Sequence, residues 1–309
     1  MNIVSLFNAL PGAVSQGLIW GMMAIGVYIT YRILDVADLT VDGSIATGGA
    51  VAAMLIINGC NAWVALVAAF GAGLLAGLVT GVLHTFMGIP AILSGILTQL
   101  ALYSVNLRIM GDKANVAVNV NNFDLIVSSR YARVFGLQNP ILLLVILSFA
   151  LIAMLYWFFG TERGCSLRAT GANANMARAQ GINTDFDKVL GLMISNGIVA
   201  LSGALLSQYQ GFSDVSMGRG AIVIGLAAVI IGEVVFSKVF RNFALKLLAV
   251  SFGAIIYYLV IQVVLWLGLK TNDLKMFTAL VVAIFLAIPY WKAKYFTHLK
   301  DRKGGAPNA

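Results

Sequence analysis

Charged side chains are scarce in this chain: they make up 10% of its 309 residues, against 60% that are hydrophobic. A soluble domain needs about a quarter of its residues charged to cover its surface, so that class is excluded and a polytopic membrane protein remains. Histidine and cysteine are rarer still, at two residues each. With only His84 and His298, and no CxxC pair, no thiolate or imidazole metal cage can be assembled. Cys60 and Cys165 fall on opposite sides of the membrane in the topology drawn below, which argues against a disulfide between them. There is no GxxxxGK[ST] phosphate loop, so ATP hydrolysis by that route is excluded. No Ser/His/Asp arrangement stands out, since His84 ends an apolar helix and His298 lies in a basic tail. The opening residues, MNIVSLFNALPGAVSQ, lack a basic n-region and a small-residue cleavage site, and are expected not to form a cleaved signal peptide.

What the chain has instead is long apolar runs. A helix needs about 20 apolar residues to cross the hydrocarbon, and such runs lie near 13–33, 43–58, 62–87, 90–110, 139–159, 188–209, 220–236, 243–269 and 276–292. The expected fold is all-α with about nine membrane segments; the second and seventh are short and glycine-rich, as in segments broken beside a cavity. A β-barrel would show short alternating strands instead. The net charge of +8 is spread over juxtamembrane loops and forms no face that could track nucleic acid. If the segments alternate with the C-terminus inside, thirteen of the 20 Lys and Arg lie inside and seven outside, which favours N-out, C-in.

A shift of 176 residues pairs Gly21 with Gly197, Asp38 with Asp214, Gly49 with Gly225 and Gly77 with Gly253, and sets DLTV opposite DVSM. With the fifth segment between them, the halves would run in opposite directions, as a four-plus-four inverted repeat. Chance likeness among glycine- and alanine-rich helices is the competing explanation. Gly73, Gly77 and Gly81 recur every four residues, as a face for close helix contact either between subunits or inside one.

Asp35, Asp38 and Asp42 form DxxDxxxD, a cluster that could hold Mg²⁺ on a pyrophosphate. That chemistry needs a second acidic cluster, and the only other close pair, Asp185 with Asp187, lies in a basic loop. The stronger expectation is that Asp38 and Asp42 cap or neighbour the start of the second segment. Glu233, near the end of the seventh segment, is either an intramembrane functional acid or a boundary ion pair with Lys238 and Arg241. Polar residues within the fourth and sixth segments are mostly neutral, and Thr98, Gln99, Asn106 and Asn196 are candidates for the lining of a solute path.

The longest polar passage runs from Gly160 to Gly191, and within it SLRATGANANMARAQGI predicts an amphipathic helix from about Leu167 to Gln180, stopped by Gly181. The run Gly164, Arg168, Ala169, Asn173, Ala177, Gly181, Ile182, Asn183, followed by a helix and then GFSDVSMGRG, resembles permease subunits of bacterial ABC importers of the branched-chain amino acid and ribose type. DLTVDGSIATGGAVAA resembles the DLSVGS-type segment of the sugar branch, and the likeness spans roughly Gly17 to Trp291.

The resemblance implies a single permease domain over 1–296 and a cytoplasmic basic tail over 297–309, in the bacterial inner membrane. It implies a cytoplasmic coupling loop at 160–187, with Arg168, Ala169, Asn173, Ala177, Arg178 and Gly181 facing an ATPase subunit. It implies a second permease subunit, as a homodimer, two ATPase subunits that hold ATP and Mg, and an extracellular binding protein that delivers the solute. The outer loop at 111–138, with Lys113, Arg130 and Arg133, is the candidate surface for that protein. IIGEVVFSKVF stands where many relatives carry further glycines, and resembles an offshoot assigned to tryptophan or tyrosine uptake. The expectation is therefore a transport subunit and not an enzyme, with an amino acid as cargo. A secondary carrier with inverted repeats, driven by Na⁺ or H⁺, is the alternative.

Overall fold

The computed structural model describes residues 3–118, 123–129, 139–236, 240, 242–267, 276–280, 282–284 and 287. The helices are α1 (Ile3–Tyr28), continued by a π-helical turn at Ile29–Ile33, α2 (Val41–Ile57), α3 (Ala62–Thr85), α4 (Ala91–Ile109), α5 (Pro140–Gly160), α6 (Glu162–Ala172), α7 (Ala174–Ala179), α8 (Thr184–Gln210), α9 (Ala221–Phe236) and α10 (Phe243–Trp266). Two three-residue strands, β1 (Asn115–Ala117) and β2 (Phe212–Asp214), pair antiparallel. Helix is also found at 276–280 and 282–284, inside the ninth apolar run. Short polar side chains fix the helix starts: Asn61, Asn139, Asn183 and Asn242 each accept a backbone N–H from the first turn of α3, α5, α8 and α10.

Six helices are long and apolar enough to cross a membrane, whereas α2 and α9 have only 17 and 16 residues. Their shortness has a structural cause. After the π-helical turn the chain is non-helical through residues 35–38, and α2 then starts beside the middle of α8, where Ser44 Oγ donates to Asn196 Oδ1 at 2.6 Å. α9 likewise follows the non-helical stretch 211–220. Both returns contain the same turn: Asp38 Oδ1 accepts from Thr40 N at 2.9 Å, and Asp214 Oδ1 from Ser216 N at 2.6 Å. These are the two aspartates that the 176-residue shift aligns.

α1 and α8 are the central helices, with 83% and 78% of their apolar windows buried against 22% for α5. α8 packs on α1, α2 and α3, and α1 packs on α8, α9 and α10. Ser195 Oγ and Ser202 Oγ of α8 donate to the carbonyls of Gly26 and Ile19 on α1, each at 2.7 Å. Gly73, Gly77 and Gly81 all face α8, where their missing side chains leave room for the backbone of Asn196 and Leu192 and for Val189. Their stripe is internal packing and not a subunit interface.

α2 crosses α8 just as closely. A Cβ on Gly48 would collide with the Ala200 carbonyl, while one on Gly71 in α3 would meet nothing within 4 Å. Gly48→Ala is therefore expected to destabilise the protein by about 2 kcal/mol or more, and Gly71→Ala to be neutral or slightly stabilising. Thermal unfolding of the two purified variants in one detergent checks this, and equal midpoints would refute the close crossing.

Candidate functional site

A buried polar cluster joins α2, α3 and α8. Asp38 is 3% exposed and has no cation beside it among the described residues. Its Oδ2 accepts from Asn196 Nδ2 at 2.7 Å while its Oδ1 holds Thr40 N. Asn196 Nδ2 also donates to the Leu192 carbonyl at 3.0 Å, and the Thr40 and Thr80 hydroxyls lie 2.7 Å apart. A buried carboxylate persists only when its oxygens are hydrogen-bonded, and the convergence of three helices supplies that here. Asp42 behaves differently from the expected local cap. Its Oδ2 and Oδ1 accept from Gly220 N at 2.9 Å and Ile222 N at 3.0 Å, so it caps the start of α9 from across the molecule. No group of three or more His, Cys, Asp or Glu suited to a metal occurs among the described residues.

The polar passage between α5 and α8 is two helices and not the single one expected over Leu167 to Gln180. Thr161 caps α6, which begins at Glu162. At Asn173 the backbone is extended, φ −160° and ψ 98°, and its side chain accepts from Met176 N at 3.0 Å to start α7. An asparagine cap inside an alanine-rich window therefore divides the helix. Gly181, at φ +81°, ends α7 in the left-handed region that glycine adopts freely. The passage is clamped in place. Ser166 Oγ and Thr170 Oγ1 both donate to Asp187 Oδ2, at 2.5 and 2.9 Å, which ties α6 to the first turn of α8. Gly171 lies so close to the Ile33 carbonyl that no side chain would fit, which seats α6 on the end of the π-helical turn.

Of the residues expected to face a partner, Arg168, Ala169, Asn173, Arg178 and Gly181 are exposed and Ala177 is buried. Arg168 stacks over the Phe243 ring, 5.9 Å from its centre, and Arg178 donates to Thr184 Oγ1 at 2.9 Å. Met176 and Phe186 are exposed beside them, two apolar side chains in a polar surface that sequence reading passed over. Glu233 pairs with Arg32 at 3.0 Å, joining the end of α9 to that of α1. Lys238 and Arg241, the partners expected for it, lie outside the described residues, as do Arg130, Arg133 and the tail from 297.

The four path candidates separate. Gln99 and Asn106 line a cavity of about 310 Å³ with Asp42, Tyr103 and Arg219. Thr98 is buried behind them and donates to the Ser94 carbonyl at 3.0 Å. Asn196 belongs to the Asp38 cluster, its amide fully engaged. Arg219 was not singled out from the sequence, where nothing distinguishes it from other loop cations.

Residues 10–289 match a family model described as the branched-chain amino acid transport system permease component. A tyrosine transport system permease protein of Clostridioides difficile (strain R20291) is 42% identical over 281 residues, covering 91% of each chain. The ribose import permease protein RbsC of Escherichia coli (strain K12) is 27% identical over 232 residues, covering 75% of this chain and 70% of its own. Among solved structures, PsaBC from Streptococcus pneumoniae in complex with Fab shares the fold, with a TM-score of 0.52 at 16% identity over 95% of this chain and 100% of that one.

The Asp38 cluster can be weighed directly. Asp38→Ala leaves Thr40 N without its acceptor and removes a charge-assisted bond to Asn196, at an expected cost of about 2–4 kcal/mol. Asp38→Asn, which keeps the shape and one acceptor, should cost less. Thermal unfolding in detergent measures both, and a wild-type midpoint for the alanine variant would show that the cluster is not a stability hub.

Proposed function

The chain belongs to the permease family of branched-chain amino acid transport systems, and from that membership we propose that it passes an amino acid across the membrane by alternating access driven by separate ATPase subunits. It is the membrane-spanning permease subunit of an ATP-binding cassette importer, a transport subunit and not an enzyme. ATP and Mg belong to the ATPase subunits of such systems.

The observation that carries the coupling proposal is the double clamp on α6 and α7. A segment that transmits force needs an exposed face for the partner and rigid attachment to what it moves. Here Arg168, Ala169, Asn173 and Arg178 are exposed, while Asp187 binds the segment to α8 and Gly171 seats it on the end of α1. In this reading the segment lies in the cytoplasm and fits a groove of the ATPase, and Met176 supplies an apolar contact there. The outer loop with Lys113 receives the binding protein, and a second copy of the chain completes a homodimer.

Two further features support the mechanics. The inverted four-plus-four repeat is favoured by the recurrence of long helix, non-helical aspartate turn, short helix and long helix in α1 to α3 and α8 to α10. It is favoured too by the exchange of partners, α3 packing on α8 as α10 packs on α1. Rocking of such halves about a central path is how inverted repeats alternate access. Gln99 and Asn106 line that path, with Thr98 and Asn196 packed behind it. For the cargo, the tyrosine transport relative at 42% identity favours an amino acid, and an aromatic one first.

The test replaces Arg178 and Gly181 together, as Arg178→Glu with Gly181→Val, which reverses a charge on α7 and forbids its left-handed stop. Uptake of labelled L-tyrosine in cells carrying the complete system should fall at least roughly tenfold with membrane expression intact. Undiminished uptake would refute the coupling role. On the wild type, an ATPase with a phosphate loop should co-purify in stoichiometric amount from the native host. Collapse of uptake when ion gradients are dissipated at constant ATP would overturn the ATP-driven reading.

A further inference from the structure

The cavity that Gln99 and Asn106 line is bounded by three elements. Asp42, Gly43 and Ala46 come from α2, Gln99, Leu100, Tyr103 and Asn106 from α4, and Val215 and Arg219 from the stretch before α9. The elements are held together tightly. A Cβ on Gly218 would collide with the Asp42 carbonyl, and one on Gly43 would come within 3.2 Å of Gln99 Cα. The cavity is thus framed by close backbone packing, and its volume of about 310 Å³ is at the small end for ligand pockets. That size suits one amino acid or one monosaccharide, and not a peptide.

The lining chooses between those two. Asn106 is 1% exposed, yet neither its Nδ2 nor its Oδ1 has a hydrogen-bond partner. A buried amide left unpartnered in this way costs free energy that a bound polar group would recover. Arg219 is exposed and enters no ion pair among the described residues. It is not neutralised by Asp42, whose two oxygens are already turned to the amides that start α9. With Ala221 N also facing it, the carboxylate keeps about one of its roughly four acceptor sites for a ligand. A cation and a carboxylate therefore share one small cavity without an ion pair between them, and Tyr103 lies at the same wall.

A second cavity of about 650 Å³, between α1, α9 and α10, also reaches Arg219. Its wall is largely apolar, with Val223, Ile224, Ile261 and Leu265, and it contains none of the orphaned buried polar atoms. The polar cavity is the better built of the two for a charged solute.

We infer that the cavity between α2, α4 and the 215–219 stretch is a subsite for a zwitterionic amino acid, with Arg219 on its carboxylate, Asp42 toward its ammonium and Asn106 on a remaining polar atom. The planar guanidinium can hold a carboxylate through two parallel bonds. A neutral sugar would leave Arg219 and Asp42 without counterparts, so this site rejects the sugar cargo named for the ribose relative. The inference rests on the importer reading and adds the chemistry of the solute to it.

The experiment is thermal unfolding of the purified permease in detergent with 20 mM of four probes: L-phenylalanine, L-leucine, phenethylamine and D-ribose. A ligand at several times its Kd should raise the midpoint by roughly 2–4 °C. The expected result is stabilisation by at least one amino acid and by neither phenethylamine, which lacks the carboxylate, nor D-ribose. Arg219→Gln should abolish the shift, and Arg219→Lys should keep part of it. Equal stabilisation by phenethylamine, stabilisation by D-ribose, an unchanged shift in Arg219→Gln, or no shift with either amino acid would each overturn the subsite. The comparison of probes on the wild type decides the matter even if a variant misfolds. Co-purification of an ATPase with the same preparation is read separately: a bound ATPase with no amino-acid shift removes the subsite alone, and an absent ATPase removes the importer reading.

Discussion

Inside a bilayer every peptide group must find its partner within the protein, and two stretches of this chain, 34–40 and 211–220, leave the helix between apolar segments. The structure meets that constraint with aspartate turns backed by long-range amide bonds. Asp38 holds Thr40 N, and Asp214 holds Ser216 N. Beyond its own turn Asp38 takes a bond from Asn196, while the start of α9 is satisfied by Asp42 from another helix. Each non-helical return is thus tied to an element distant in sequence. The local solution to the backbone problem and the global packing of the molecule are one arrangement.

That arrangement explains the glycines. Polar side chains as short as serine, threonine and asparagine can bridge helices only where the backbones nearly touch, and glycine permits that approach. Gly48 and Gly203 bring α2 onto α8 beside the Ser44 to Asn196 bond, and Gly73 and Gly77 bring α3 onto the same helix. α8 is consequently gripped along most of its length, from Asp187 near its start to Tyr209 near its end. A helix held in this way moves as a body with its neighbours and does not bend independently of them.

Much of this was legible in the residues themselves, and the parts that were not share a cause. The nine apolar runs all contain helix, because hydropathy over 20 residues is a local property. The paired aspartates and the polar passage after Gly160 stood out for the same reason. Partners across sequence did not. Asp42 was read as a cap for its own helix because a carboxylate in the first turn has that local use, while its amides lie some 180 residues away. The chain neighbours of Glu233 suggest a boundary ion pair, and the partner found among the described residues is Arg32, some 200 residues away. The stripe Gly73, Gly77, Gly81 announced a close contact without saying with what. The division of the amphipathic helix at Asn173 was visible in principle, since asparagine before a polar alanine-rich turn is a start signal. Continuous alanine content hid it. Arg219 carried no signal at all, because an unpaired cation becomes informative only when its surroundings are known.

The placement of the polar cavity bears on how such a permease could discriminate its cargo without holding it. A strong, enclosed site would trap the solute, since a transported molecule must be able to leave as easily as it arrives. Here the two charged groups are presented by different elements, Asp42 by α2 and Arg219 by the stretch leading into α9, and the third wall is α4. α2 is bonded to α8 through Ser44 and Asn196, and Glu233 in the last turn of α9 is bound to Arg32 in the π-helical turn that continues α1. In the proposed importer, a push on α6 reaches both, through Asp187 to α8 and through Gly171 to the end of α1. Asp42 is bonded to the start of α9 and packed against Gly218, so Asp42 and the backbone that carries Arg219 move together, and a displacement of α4 against them is what would change the fit of a zwitterion. Affinity would then be a property of the conformation and not of the residues alone, which is the condition for a site that accepts its solute in one state and releases it in the next.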